Sequence, residues 1–405
     1  MNKLKTKKNK KGGKVTGSGG FGCIFKPALK CKTYKRKSNP HNSNQITKLM
    51  TVNHAKTEYK EIQKFKKILN KIPHYADYFL VNDFTLCHPD VLTEEDLIHY
   101  NDKCKALNKK GITEEKINDS LDKVLALNMP DGGKDVEDFL DVNLSHDHLI
   151  KLNNSLIKLL SNGIVPMNKL HIYHCDIKDS NVLVQEQNNS MHTRLIDWGL
   201  STEYNKQHSI PDVLARRPLQ FNVPFSIILF TSEFTEYYAK FLKTYETINY
   251  YMIREFVINY IFAWIDIRGK GHLKLINETI SILFKNELPV IDKKKRKTFI
   301  IYEFTYYYII EYLSKILEKY TYNNSFHLYD YFNEVFIKNI DIWGFVMIYL
   351  PVLEKLYNKY DIMTKSEKEL FKSLKYIIVH FLFESPVVPI NVSELTRALK
   401  KLNIS

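Results

Sequence analysis

The sequence predicts an α+β chain whose first third is β-rich and whose remainder is mainly helical. Three observations carry this. A glycine-rich turn over Gly17 to Gly22 precedes strand-forming residues from Cys23 to Lys32 and from Gln45 to Met50. Apolar Tyr59, Ile62, Phe65, Ile68 and Leu69 recur at helical spacing, which predicts an amphipathic helix over Thr57 to Asn70. Past Asp131-Gly132-Gly133 the pattern becomes a succession of helices, over 147–162, 232–264, 273–286, 299–319, 341–358, 366–383 and 392–402.

Taken in order, residues 1–13 lack apolar periodicity and end in Gly12-Gly13, which predicts a basic flexible tail. A polar loop over Arg36 to Asn44 separates two strands. Between the first helix and Met129 a strand, a helix and further strands are expected. No repeat of fixed period occurs.

With 405 residues the chain can bury a large core. Its net charge of +14 is concentrated at the front: the first 57 residues hold 15 Lys and Arg and no acid, so the rest sums to −1. Such an end suits nucleic acid, an acidic partner or a membrane surface, or is simply a solvated tail. Lys293-Lys294-Lys295-Arg296-Lys297 reads either as a nuclear-import signal or as a basic loop between helices. The most apolar stretches, Phe345 to Val352 and Tyr376 to Phe383, are too short to span a bilayer, so no membrane insertion is expected. The N-terminus lacks the apolar core of a secretory signal, and the five cysteines show no paired metal spacing. Both predict a reducing, intracellular setting.

Gly17-Ser18-Gly19-Gly20-Phe21-Gly22-Cys23-Ile24 places Gly17, Gly19 and Gly22 at a GxGxxG spacing, which lets backbone amides close over phosphates. A dinucleotide site would need a helix directly afterwards, whereas the following residues contain Pro27 and read as a strand. A hairpin flap fits better, with Ile24 facing an adenine. Lys48 sits in a half-buried strand, where an ammonium demands an anion. Phosphate oxygens and a carboxylate from the next helix, Glu58 or Glu61, would supply it. The most specific signal is His174-Cys175-Asp176-Ile177-Lys178-Asp179-Ser180-Asn181, followed by Leu195-Ile196-Asp197-Trp198-Gly199. Phosphoryl transfer needs a proton acceptor, a charge-stabilising cation and metal-binding oxygens. Asp176, Lys178, and Asn181 with Asp197 match these needs in turn.

These motifs, in this order, resemble the eukaryotic-type serine/threonine protein kinase superfamily. The resemblance implies a bilobal kinase-like fold: a small β-rich lobe over 14–129, a large α-helical lobe over 130–405, and a helical insertion at about 230–338. It implies ATP with Mg²⁺ or Mn²⁺ as cofactors, a protein substrate, Met129 as the adenine-binding hinge marker, and Asp341 of Asp341-Ile342-Trp343-Gly344 as a brace for the catalytic loop. Arg217-Pro218-Leu219-Gln220-Phe221-Asn222 with Pro224-Phe225-Ser226 is similar to a segment in kinases of large nucleocytoplasmic DNA viruses, which implies host cytoplasm, virion or nucleus as locations. Cys175 replaces the usual Arg, Trp198 the usual Phe, and no Ala-Pro-Glu follows Gly199. Without a cation at 175, activity is expected to survive phosphatase treatment; its loss would contradict this. Arg216 and Arg217 read either as a site for an acidic substrate or as exposed, solvated loop arginines. A pseudokinase scaffold, a small-molecule phosphotransferase and a basic nucleic-acid-binding protein stand as alternatives.

Overall fold

The computed structural model describes residues 13–32, 44–142, 145–206, 209–284, 295 and 305–403. The expected tail over 1–12, most of the 36–44 loop, all but Lys295 of the basic cluster at 293–297, and the start of the 299–319 helix lie outside these residues. The protein is mixed α+β, 58% helix and 15% strand, with small antiparallel sheets. It forms two compact units: one of the described residues up to Lys71 with Phe79–Gly132, the other of Ile72–Tyr78 with Gly133–Ser405.

The first unit is a five-stranded antiparallel sheet in the order β1-β2-β3-β5-β4, formed by β1 (Lys14–Gly19), β2 (Gly22–Lys26), β3 (Gln45–Thr51), β4 (Thr85–Cys87) and β5 (Val124–Pro130). Strand β2 is shorter than expected, because Pro27 has no amide to donate to a ladder. Helix α1 (Val52–Leu69) begins five residues before the predicted start and buries Ala55, Ile62, Phe65 and Leu69. The expected strands between α1 and Met129 reduce to β4 and β5. The intervening chain instead makes three single-turn helices, Glu94–Leu97, Tyr100–Lys103 and Lys105–Asn108.

Four of the five cysteines pair as disulfides, Cys23 with Cys104 and Cys31 with Cys87, with Cα separations of 5.0 and 5.7 Å. Partners 81 and 56 residues apart leave no local spacing signal. The pairing removes the cysteine argument for a reducing setting. Serine at Cys23 is expected to destabilise the first unit by about 2–4 kcal/mol, read as a lowered denaturation midpoint that reductant reproduces in the wild type.

Among its described residues the second unit contains three small sheets. One has the order β6-β8-β9, from β6 (Lys134–Asp135), β8 (Val182–Gln187) and β9 (Ser190–Leu195); another pairs β7 (Ile172–Tyr173) with β10 (Thr202–Glu203); the third pairs β11 (Thr321–Tyr322) with β12 (Ser325–Phe326). The rest is mainly helical. The run expected at 147–162 is His146–Lys158, continuing through a wider turn to Lys169, and the run at 232–264 divides into Ser232–Thr244 and Tyr250–Arg268. One continuous helical run, Leu328–Asn358, is long and apolar enough to cross a membrane, contrary to the expectation that no stretch is. Its most apolar window is 94% buried, so it serves as the core of this unit.

Candidate active site

In the first unit, β1 and β2 form the expected hairpin, with Gly19 opposite Gly22 and Gly20-Phe21 at the tip. The glycines are not equivalent. A Cβ on Gly22 would lie 2.1 Å from the Leu49 carbonyl oxygen, so the neighbouring strand β3 requires this glycine whatever the hairpin covers. A Cβ on Gly17 would make ordinary contact with Ile24 at 3.7 Å, so packing does not demand that one.

Ile24 pairs with Lys48 on β3, and Lys48 with Leu127 on β5. The central strand carries the ammonium into a site where its side chain is 14% exposed. Its partner is Glu58, whose Oε1 and Oε2 lie 2.8 and 2.7 Å from Lys48 Nζ. This resolves the choice between Glu58 and Glu61. The early start of α1 brings Glu58 beside Lys48 within two turns of the end of β3. Met129, buried, pairs with Ile46 near the end of β5.

In the second unit, the loop from His174 to Asn181 connects β7 to β8, and two features fix its shape. Asp341, 1% exposed, accepts hydrogen bonds from the His174 and Cys175 amides at 2.9 and 2.8 Å and from Asn168 Nδ2 at 2.7 Å. Burial pushes its carboxyl up, opposed by His174 and by these donors. Gly344, one turn further on, has no room for a side chain, since its Cβ would lie 2.5 Å from the Ile177 carbonyl oxygen. The bracing role implied for Asp341 is thus a set of named hydrogen bonds. They hold Cys175 at φ 61°, a left-handed conformation unusual for a non-glycine residue.

Asp176 Oδ2 accepts from Lys178 Nζ and from Asn181 Nδ2, both at 3.0 Å. Its Oδ1 accepts from Asn222 Nδ2 at 2.9 Å and contacts Arg217 at 3.4 Å. Burial pushes this carboxyl up, but Lys178, Asn222 and Arg217 together outweigh it and leave it below the usual carboxylate value. Asp176 is therefore ionised at neutral pH. Cys175, free and buried, has its thiol pushed far up by burial and is inert as a nucleophile.

The hairpin of β8 and β9 pairs Val182 with Leu195, and the Ile196 amide donates to the Asn181 carbonyl at 3.0 Å. Asn181 and Asp197 consequently emerge from the same end of this hairpin. Asp197 is exposed and adopts φ 65°, ψ 77°, a strained conformation of the kind found where a side chain must be aimed. The Asn181 amide nitrogen is committed to Asp176, so its side-chain oxygen remains as its ligand atom. An amide oxygen and a carboxylate suit a hard cation such as Mg²⁺, which takes its other ligands from phosphates and water. Among the described residues no group of three or more His, Cys, Asp or Glu side chains is arranged to hold a metal ion.

Two residues that touch Asp176 escape sequence reasoning. Arg217 is 6% exposed, not the solvated loop arginine expected, and Asn222 is 1% exposed. Both lie within the segment singled out for its resemblance, but nothing in their spacing signals burial against a loop 40 residues earlier.

Asp179 also lies in this loop. Burial, with Glu137 and Asp135 nearby, pushes its carboxyl up to about 6. A raised carboxylate stabilises the fold below its unfolded value of about 3.9 and loses that contribution as pH rises through about 6. Asp179→Asn should therefore raise stability by about 1–2 kcal/mol at pH 8 and leave it unchanged at pH 4, as measured by denaturation at the two pH values.

No family model matches the chain.

Proposed function

We propose that the chain is an ATP-dependent protein kinase that phosphorylates serine and threonine hydroxyls, with the first unit as the small lobe and the second as the large lobe of a kinase-like fold. The observation that carries this reading is the convergence of Lys178, Asn181 and an ionised Asp176 on a braced loop, beside the hairpin end that bears Asp197.

Asp176 orients the acceptor hydroxyl and takes its proton as the hydroxyl oxygen bonds the γ-phosphorus of ATP and the bond from that phosphorus to the β–γ bridging oxygen breaks, releasing ADP. Lys178 neutralises charge on the phosphoryl group in transit. Asn181 and Asp197 would hold Mg²⁺, which supplies charge neutralisation for the phosphates. In the first unit Lys48, oriented by Glu58, offers an ammonium to phosphate oxygens. Gly17, Gly19 and Gly22 would let the hairpin backbone approach the phosphates closely, and Met129 with Ile24 would receive the adenine. The retained acid, cation and metal-binding oxygens favour an active enzyme over a pseudokinase scaffold.

The acceptor class is tested by offering γ-labelled ATP and Mg²⁺ with protein acceptors and, separately, with aminoglycoside-type small molecules. Label on protein alone supports the reading. Label on the small molecule alone replaces it with a small-molecule phosphotransferase.

A further inference from the structure

The segment 216–222 is built into the base-bearing loop by a buried cation and a buried amide. The Arg217 guanidinium donates to the Cys175 carbonyl oxygen and reaches Asp176 Oδ1, while its Nε donates to Gln220 Oε1 at 2.7 Å, which sets the plane of the fork. Asn222 Nδ2 donates to Asp176 Oδ1 at 2.9 Å and to the Ile177 carbonyl at 3.3 Å. The segment is itself anchored. The Leu219 carbonyl accepts from the His272 amide at 2.9 Å, and the Phe221 carbonyl accepts from Trp343 Nε1 at 2.8 Å. Gly271, at φ 51°, lets the chain pass where a Cβ would meet the Leu219 carbonyl at 2.3 Å.

We infer that Arg217 and Asn222 are positioning residues for Asp176, fixing the carboxylate for proton acceptance through a cation carried by the segment after β10 and requiring no phosphate on that segment. This deepens the kinase reading and rests on it.

Two observations separate this from ordinary packing. Asn222 leaves its buried Oδ1 without a partner among the described residues, a cost that a residue kept for stability alone would avoid. Its donor, however, points at the base. In addition, the cation that the resemblance leads one to expect at position 175 is absent, yet a guanidinium occupies that neighbourhood by donating to the Cys175 carbonyl. The loop supplies the acceptor and the segment supplies the charge. Lys178, His272, Asp341 and Cys175 are the other ionisable groups facing this cluster; burial, then Lys178, lower the pKa of His272, so it adds no competing cation at neutral pH.

The test is a double-mutant cycle on the full chain with phosphatase-treated enzyme. Arg217→Gln and Asn222→Ala are each expected to lower kcat by about 10–100-fold, as small misplacements of a reacting group do, with KM for ATP and acceptor unchanged. Arg217→Lys, which keeps charge but loses the fork, should fall between. In an Asp176→Asn background the same substitutions should cause no further loss, because nothing remains to position. Additive losses, or losses confined to KM or to thermal stability, would overturn the proposal and leave the kinase reading standing. Should Arg217→Gln not fold, Asn222→Ala completes the cycle. Absence of transfer by folded wild type would remove the kinase reading and this inference with it.

Discussion

Asp176→Asn should lower the rate of phosphoryl transfer by about 10²–10⁴-fold, the range for loss of a positioned general base. The substitution preserves volume, but every orientation of the new amide is wrong. Both carboxylate oxygens face donors: Lys178 and Asn181 on one side, Asn222 and Arg217 on the other. Whichever way Asn turns, its NH₂ meets N–H groups, so orientation is lost together with the proton acceptor. Arg217 keeps its contacts to Gln220 and the Cys175 carbonyl, which limits the stability loss to about 1–3 kcal/mol. Rates measured beside denaturation curves separate the two effects: a large rate loss in a folded variant supports the assignment, and near-normal rates would exclude Asp176 as the base.

Asp341→Ala should cost about 3–5 kcal/mol and abolish transfer in whatever remains folded. Removing the carboxylate leaves the buried His174 and Cys175 amides without their acceptor, each at the cost of an unmade hydrogen bond, while Asn168 keeps only its bond to the Ile172 carbonyl. It also releases Cys175 from its left-handed conformation, and the adjoining Asp176 moves with it. Asp341→Asn should be milder, since one acceptor survives. Urea denaturation of both variants checks the order, and equal stability to wild type would contradict the bracing role.

The lysine–glutamate pair, the convergence of Lys178 and Asn181 on Asp176 and the strand-to-helix change near residue 130 were legible because each rests on local residue order. The Gly17–Gly22 turn read as a hairpin because Pro27 opposes a helix, and it is one. The disulfides were not legible: Cys23 and Cys104 meet only after the short helices fold back, and those helices are too brief to show a period. Arg217 read as exposed because a charged pair in a polar loop gives no hint of burial, which arises from contacts with Cys175 and Asp176 some 40 residues away in sequence. The apolar run at 345–352 was measured too narrowly, since Leu328–Asn358 continues as one helical run through Gly344 and Pro351.

The most direct test is phosphoamino-acid analysis of a basic protein and a casein-like acceptor after incubation of the intact chain with γ-labelled ATP and Mg²⁺. Phosphoserine and phosphothreonine that disappear with Asp176→Asn are the predicted result. A folded, ATP-binding chain that transfers no label would contradict the assignment of an active protein kinase.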